Sequence, residues 1–384
     1  MPELLKLVNN ADLLVFVTPL YVFSVCSQLK KFLDRIIPNL QPYLEILDGT
    51  TIHPLRHPTG KDQGIVVNEP SIVAINNRTE KIIAVGDDAK IMLGKTPQHI
   101  TVTRPLVDGI ISDFEVSEKM IKHFIEKVHK ESFTFMPRPR VVIGIPLDVT
   151  EVERKAVEDS VMGAGASEVL LIEEPMAAAI GAGLPIQEAS GSMIVDIGGG
   201  TTEIAVMSLG GVVSWKSLKL AGDKFNESII QYARDKFNLL LGERTAEKIK
   251  IQVGSVMSSD KPMKTTMRGR DILTGLPKEV EVTEANIREA IIKPIKLIVE
   301  NIKATIENTP PELVSDLYER GMVLTGGGAL LKGLDVLIAQ ETKMPVYITD
   351  EPLTAVVRGT GKVLDDLDNL REILLPSTKD MGWG

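Results

Sequence analysis

The chain has 384 residues, 43% hydrophobic, 25% charged and only 4% aromatic, with a formal net charge of −9. That length predicts two or three domain-sized units with mostly aliphatic cores. The mild acidity excludes a basic nucleic-acid footprint. The single cysteine, Cys26, excludes a disulfide framework and suits a reducing cytoplasm. No run is apolar for a membrane span's length, and no secretory signal is expected at the start.

In chain order, LLVFVTPLY (13–21) reads as a strand with a turn at its end, and SQLKKFLDRI (27–36) as an amphipathic helix. GIVVNEPSIVAIN (64–76) and KIIAVG (81–86) read as strands, followed by a helix around 117–130. RVVIGIP (140–146) is a short β-branched run that suits a buried strand. Thr150 and Glu153 form a capping box ahead of VERKAVEDSVM, EVLLI (168–172) is strand-like, and Pro175 opens the small-residue helix MAAAIGAG. Residues 140–183 therefore predict a right-handed strand–helix–strand–helix crossover unit.

SMIVDIGGGTTEIAVMSLGGVVSWKSLKL (192–220) reads as a three-stranded meander with two tight glycine turns. Asp223 is the expected N-cap of KFNESIIQYARDKF, whose stripe is Phe225, Ile229, Ile230 and Phe237. A charged helix over 243–251 follows, then short strands and turns (254–283). A long helix, 282–308, has a T-x-x-N start and a bend expected at Pro294. GMVLT (321–325) is a strand, GGG a turn, ALLKGLDVLIAQ a helix, MPVYIT a strand, and 352–366 a final helix. Meander, helix, then strand–helix–strand–helix is also the order of the first half, with its beginning missing. The pattern predicts a duplicated α/β domain whose first copy lacks its opening hairpin.

The glycine turn at 198–200 lies between two strands, whereas a dinucleotide fold or P-loop places a helix directly after its glycines. Successive glycines let backbone N–H groups approach phosphate oxygens. Asp196, at the strand end, could hold a hydrated magnesium ion, and Thr201 and Thr202 offer hydroxyls to phosphate or to an attacking water. A plain hairpin turn is the alternative. In LTGGGALLKGL (324–334) the glycines open a helix, whose N-terminus favours anions and whose bare backbone lets a flat base lie close; a simple strand-to-helix connection is the alternative. ERTAEKIK (243–250) places Glu243, Glu247 and Lys250 on neighbouring turns, which suits a binding face or a solvated one. Glu174, after a buried strand, could orient or deprotonate a water, or simply suit the helix dipole. Phe133, Phe135 and Met136, just before arginines, suit either a membrane-inserting loop or packing onto the domain.

The strings VDIGGGTTEIAV, IEEPMAAAIGAG, GDKFNESI, ERTAEKIK and LTGGGALLKGL occur in the order of the actin, sugar-kinase and heat-shock chaperone ATPase superfamily. With GIVVNEPSIVAI, RPLVDGIISDFEV and PRVVIGIP, the chain from about Gly64 onward closely resembles the bacterial actin-like, rod-shape-determining MreB family. The resemblance implies an actin/heat-shock-chaperone-like ATPase fold of two ribonuclease-H-like domains, with ATP and Mg2+ in the cleft between them. It implies filaments of self-associated subunits, slow ATP hydrolysis, and a cytoplasmic position at the inner membrane surface beside cell-wall elongation proteins. Carried over by motif, Gly198, Gly199, Gly200, Thr201 and Thr202 would hold phosphates, and Asp196 would act through the magnesium shell. Glu174 and Thr201 would position the attacking water. Glu243, Glu247, Lys248, Ile249 and Lys250 would face the ribose and base. Gly326, Gly327, Gly328, Ala329 and Leu330 would pack on the adenosine. Phe133, Phe135 and Met136 would form the membrane loop.

The family also opens with a strand, a D-x-G-T-x-x-T turn and a second strand, and that turn is absent. In LDGTTIHP (47–54) the aspartate directly precedes the glycine, and the following PLRHPTGKDQ carries two prolines. Residues 11–57 instead resemble the middle of a flavodoxin-like FMN reductase, with its T-P-L-Y loop and L-K-x-F-x-D-R helix. The expected divisions are a foreign fragment (1–60), an incomplete first lobe (61–190), a second lobe (191–350) with a subdomain at about 224–310, and a C-terminal return to the first lobe (351–384). The competing readings are a non-functional chimeric product and a flavin-dependent oxidoreductase.

Overall fold

In the computed structural model, which describes residues 12–15, 20–25, 65–129 and 138–377, β-branched runs become strands and capped amphipathic stretches become helices. The chain divides into two units: Met1–Gly183 with Thr354–Gly384, and Leu184–Leu353.

Unit 1 begins with β1 (Asp12–Val15), β2 (Leu20–Val25), β3 (Ile65–Pro70), β4 (Val73–Asn76), β5 (Lys81–Val85), α1 (Asp87–Met92), β6 (Ile100–Thr103), β7 (Leu106–Val107) and β8 (Ile110–Ile111). It continues through α2 (Phe114–His129), β9 (Arg140–Ile145), α3 (Glu151–Gly163), β10 (Glu168–Glu173) and α4 (Glu174–Ala182). Its main sheet runs β10-β9-β1-β2-β3. β9 is parallel to β10 and β1, and β2 is antiparallel to β1 and β3. The Thr150 hydroxyl accepts the Glu153 amide at 3.3 Å while the Glu153 carboxylate accepts the Thr150 amide at 2.8 Å, so α3 starts where the capping box places it. Met120 and Phe124 of α2, Val141 and Ile143 of β9, and Val161 of α3 anchor the core.

Unit 2 comprises β11 (Ser192–Ile197), β12 (Thr202–Ser208), β13 (Gly211–Leu218), α5 (Gly222–Phe237), β14 (Leu239–Leu240), α6 (Glu243–Val253), β15 (Lys264–Asp271) and β16 (Pro277–Thr283). After these come α7 (Glu284–Glu307), α8 (Pro311–Arg320), β17 (Met322–Thr325), α9 (Leu334–Thr342) and β18 (Val346–Ile348). Its sheet, β13-β12-β11-β17-β18, repeats the unit 1 pattern of an antiparallel meander joined to a parallel crossover. One face buries Val195, Ile197 and Ile204 with Phe225 and Ile229 of α5 and Ile291, Ile295 and Ile298 of α7. Pro294 lies inside α7, which continues through it.

The chain then returns to unit 1 with α10 (Ala355–Asp365) and α11 (Leu367–Leu370). α10 lies against α4 so closely that a Cβ on Gly181 would stand 1.7 Å from the Ala355 carbonyl oxygen, and one on Gly359 1.7 Å from that of Ala177. Lys362 Nζ donates to the Ile180 carbonyl at 2.9 Å.

Three expectations change. The sheet of the first copy does have an opening antiparallel pair: β1 and β2, from the flavodoxin-like stretch, take the places that β11 and β12 take in unit 2. Pairing is a backbone property, so the strand positions are filled although the family's turn sequence is missing. α5 starts at Gly222 without a side-chain cap, not after an Asp223 cap, because carbonyls of the 198–200 turn accept its first amides. The 326–328 glycines lead into a 3-10 turn, Gly327–Leu330, and α9 opens only at Leu334, after left-handed Gly333 (φ +77°). Phe133, Phe135 and Met136 lie outside the described residues.

Candidate functional site

The site in unit 2 grows from the end of β11. The Gly222 amide donates to the Gly198 carbonyl at 3.1 Å and the Asp223 amide to that of Gly199 at 2.8 Å. Across a trans peptide the C=O and N–H point in opposite directions, and no peptide bond here is cis. The N–H groups of Gly199 and Gly200 are therefore both turned away from α5. Together with the Thr201 amide they have no acceptor among the described residues, although Gly200 and Thr201 are buried. Successive inward amides without partners form a nest that fits phosphate oxygens. The approach at Gly222 is close: a Cβ there would lie 3.3 Å from both the Gly198 oxygen and Lys250 Nζ.

Asp196 sits beside this nest, buried, and accepts no hydrogen bond among the described residues. Burial pushes its carboxyl up to about 7. No group of three His, Cys, Asp or Glu side chains among the described residues could hold a metal. A buried carboxylate beside a phosphate nest fits magnesium, which keeps most of its waters and takes one or two carboxylates. The pairing register aligns Thr325, Asp196, Glu203 and Ser217 across one face of the sheet. Glu203, 1% exposed, accepts the Ser217 hydroxyl at 2.7 Å.

The second glycine turn packs on the end of β11, just before the first turn. Gly326, at φ +78°, presses on the strand end, where a Cβ would stand 2.4 Å from both Asp196 Oδ1 and the Ile197 carbonyl. The Pro352 carbonyl holds this turn, accepting the Gly326 amide at 2.9 Å and the Thr325 hydroxyl at 3.0 Å. Leu330 is 55% exposed and offers an apolar surface beside the glycines. Lys250 of α6 donates to the Gly222 carbonyl at 2.7 Å, which ties α6 to the turn, and Glu243 and Glu247 lie on the same helix.

Other sequence candidates have settings of their own. The Thr202 hydroxyl donates to the Leu220 carbonyl at 2.7 Å and the residue is fully buried, so it serves the sheet rather than phosphate. Ile249 and Ala329 are buried in the unit 2 core, and Lys248 is exposed. Glu174, buried at the start of α4, belongs to unit 1. Sequence reasoning missed Gly222, which lies inside the quoted string GDKFNESI. It also missed Glu203, which hairpin register would have placed opposite Asp196.

A family model described as MreB/Mbl protein matches residues 57–372, and a flavodoxin-like fold model matches residues 3–43. The chain is 52% identical over 312 residues to the cell shape-determining protein MreB of Escherichia coli (strain K12), covering 80% of this chain and 90% of that protein. It is 48% identical over 324 residues to the cell shape-determining protein Mbl of Bacillus cereus, covering 84% and 96%. Among solved structures it is similar to MreB5 of Spiroplasma citri bound to ADP, with a TM-score of 0.80 and 31% identity over 95% of this chain and 98% of that one. The AMPPNP-bound form of that protein matches equally.

Proposed function

Because the chain belongs to the MreB/Mbl family, we propose that it is an actin-like cytoskeletal subunit that binds ATP with magnesium. It assembles with copies of itself into filaments on the cytoplasmic side of the inner membrane, where it organises cell-wall elongation and maintains cell shape. The amides of Gly199, Gly200 and Thr201, which have no acceptor among the described residues, carry the nucleotide part of this reading. The MreB5 relative bound to ADP and to AMPPNP supports it. Magnesium, when bound, neutralises phosphate charge, and Asp196 would hold it through water. Thr201 and Glu174 would position the attacking water, so that hydrolysis rests on positioning and charge stabilisation. Glu247, Lys250 and the Gly326–Leu330 turn would face the nucleoside. No helix among the described residues is long and apolar enough to cross a membrane; membrane contact would fall to the loop carrying Phe133, Phe135 and Met136.

Nucleotide binding by this chain is weakened. The family's first phosphate turn would join the two strands that β1 and β2 replace, but the residues joining these are Phe16, Val17, Thr18 and Pro19, with neither glycine nor carboxylate. Each charged hydrogen bond lost is worth roughly 1.5–3 kcal/mol, so two cost on the order of a hundred-fold or more in affinity. The test compares ATP affinity and ATP-dependent pelleting of this chain with those of a repaired chain carrying a D-x-G-T turn at residues 16–19. Tighter binding and stronger pelleting by the repaired chain are expected; equal affinities overturn the weakening.

The match of residues 3–43 to a flavodoxin-like fold favours a second reading, a chimeric product without function or with flavin chemistry. Long-read genomic sequence across codons 50–70 tests the join, and a flavin absorption band in the purified protein tests the chemistry.

A further inference from the structure

We propose that Asn226 reads the nucleoside, its carboxamide hydrogen-bonding a ribose hydroxyl; this rests on the nucleotide reading above. The buried positions of α5 are Gly222, Phe225, Asn226, Ile229 and Ala233. Phe225, Ile229 and Ala233 belong to the hydrophobic core, so an apolar residue would satisfy position 226. Asparagine stands there instead, 3% exposed, with Oδ1 buried and its carboxamide without a partner among the described residues. Leaving a buried acceptor unpaired is costly, which points to a donor arriving from outside the chain.

Placement says what kind of donor. Asn226 follows Gly222 by four residues and shares its face of α5. Helical side chains lean toward the N-terminus, so the carboxamide leans toward Gly222, which has no side chain to block it. There the Gly222 backbone meets the Gly198–Gly199 turn and Lys250 Nζ. The phosphate end of the site is fixed by the amides of Gly199 and Gly200. Asn226 stands about 6 Å farther along the α5 axis, one helical turn beyond the Gly222 carbonyl that Lys250 contacts. A phosphate only accepts hydrogen bonds and cannot satisfy Oδ1, whereas a ribose hydroxyl both donates and accepts, as a carboxamide does.

The experiment measures binding of ADP and of 2′,3′-dideoxy-ADP, up to millimolar concentration, to the full chain and to its Asn226→Ala and Asn226→Asp variants by calorimetry. The unmodified chain is expected to prefer ADP about tenfold, the value of one hydrogen bond to a buried partner. Asn226→Ala should lose that preference by weakening ADP alone. Asn226→Asp, which keeps an acceptor, should retain it. Equal weakening of both ligands by Asn226→Ala, or a preference that survives it, overturns the proposal. If Asn226→Ala does not fold, absence of any preference in the unmodified chain, or its loss in a folded Asn226→Asp, overturns it equally. No ADP binding to the unmodified chain overturns the nucleotide reading itself, and this proposal with it.

Discussion

Replacing Asp196 by asparagine removes a charge that the fold buries while keeping the side chain's shape. The Asp196 carboxyl titrates near 7 in the folded chain, raised from 3.8 by burial alone. Between those two values the folded state holds a proton that the unfolded state has released. Stability therefore falls as pH rises through this window and stays low above it. At 1.36 kcal/mol per unit, the buried charge costs up to about 4 kcal/mol at pH 8 and little at pH 4. A carboxamide cannot ionise, so the Asp196→Asn variant should be more stable than the parent at pH 8, with the gap closing toward pH 4. Urea unfolding of both chains at pH 4, 6 and 8, without nucleotide or divalent cation, measures this. Millimolar magnesium with ADP should reverse the order at pH 8, because the cation favours the ionised carboxylate and binds only the parent well. A variant less stable than its parent at pH 8 without ligand, or a gap independent of pH, refutes the reasoning.

Thr202→Val should lower stability by about 1 kcal/mol through loss of the bond to the Leu220 carbonyl, with nucleotide affinity unchanged; a fall in affinity would return Thr202 to the phosphate site. Gly181→Ala should lower the melting temperature despite alanine's better helix propensity, since its methyl would stand 1.7 Å from the Ala355 carbonyl oxygen. Forcing α4 and α10 apart costs about 1–3 kcal/mol, and a raised melting temperature would contradict that packing.

What could be read from the sequence was mostly local. The Thr150–Glu153 and Thr283–Asn286 caps involve residues three apart, and both form. The duplicated order of elements shows in periodicity and glycine placement, and both units build the same sheet pattern. Features set by distant partners were hidden. α5 needs no Asp223 cap because the turn more than 20 residues earlier supplies its acceptors. Thr202 resembles a phosphate ligand until Leu220 takes its hydroxyl. LLVFV carries β-branched and aromatic residues that suit a strand in either of two folds; only pairing with β9 decides which sheet it enters. Asn226 passed unnoticed because a polar residue inside a helical stripe signals nothing until its missing partner is seen.

The contact of Gly181 with Ala355 also sets a timetable for synthesis. Unit 2 is one uninterrupted stretch and can fold as soon as it leaves the ribosome. Unit 1 cannot close until the 170 residues of Leu184–Leu353 have been made and α10 has followed them. At ordinary elongation rates that delay is roughly 10–30 s. Throughout it, the apolar face of α4 waits for its cover, and a nascent chain stalled in this interval presents that face to chaperones and proteases.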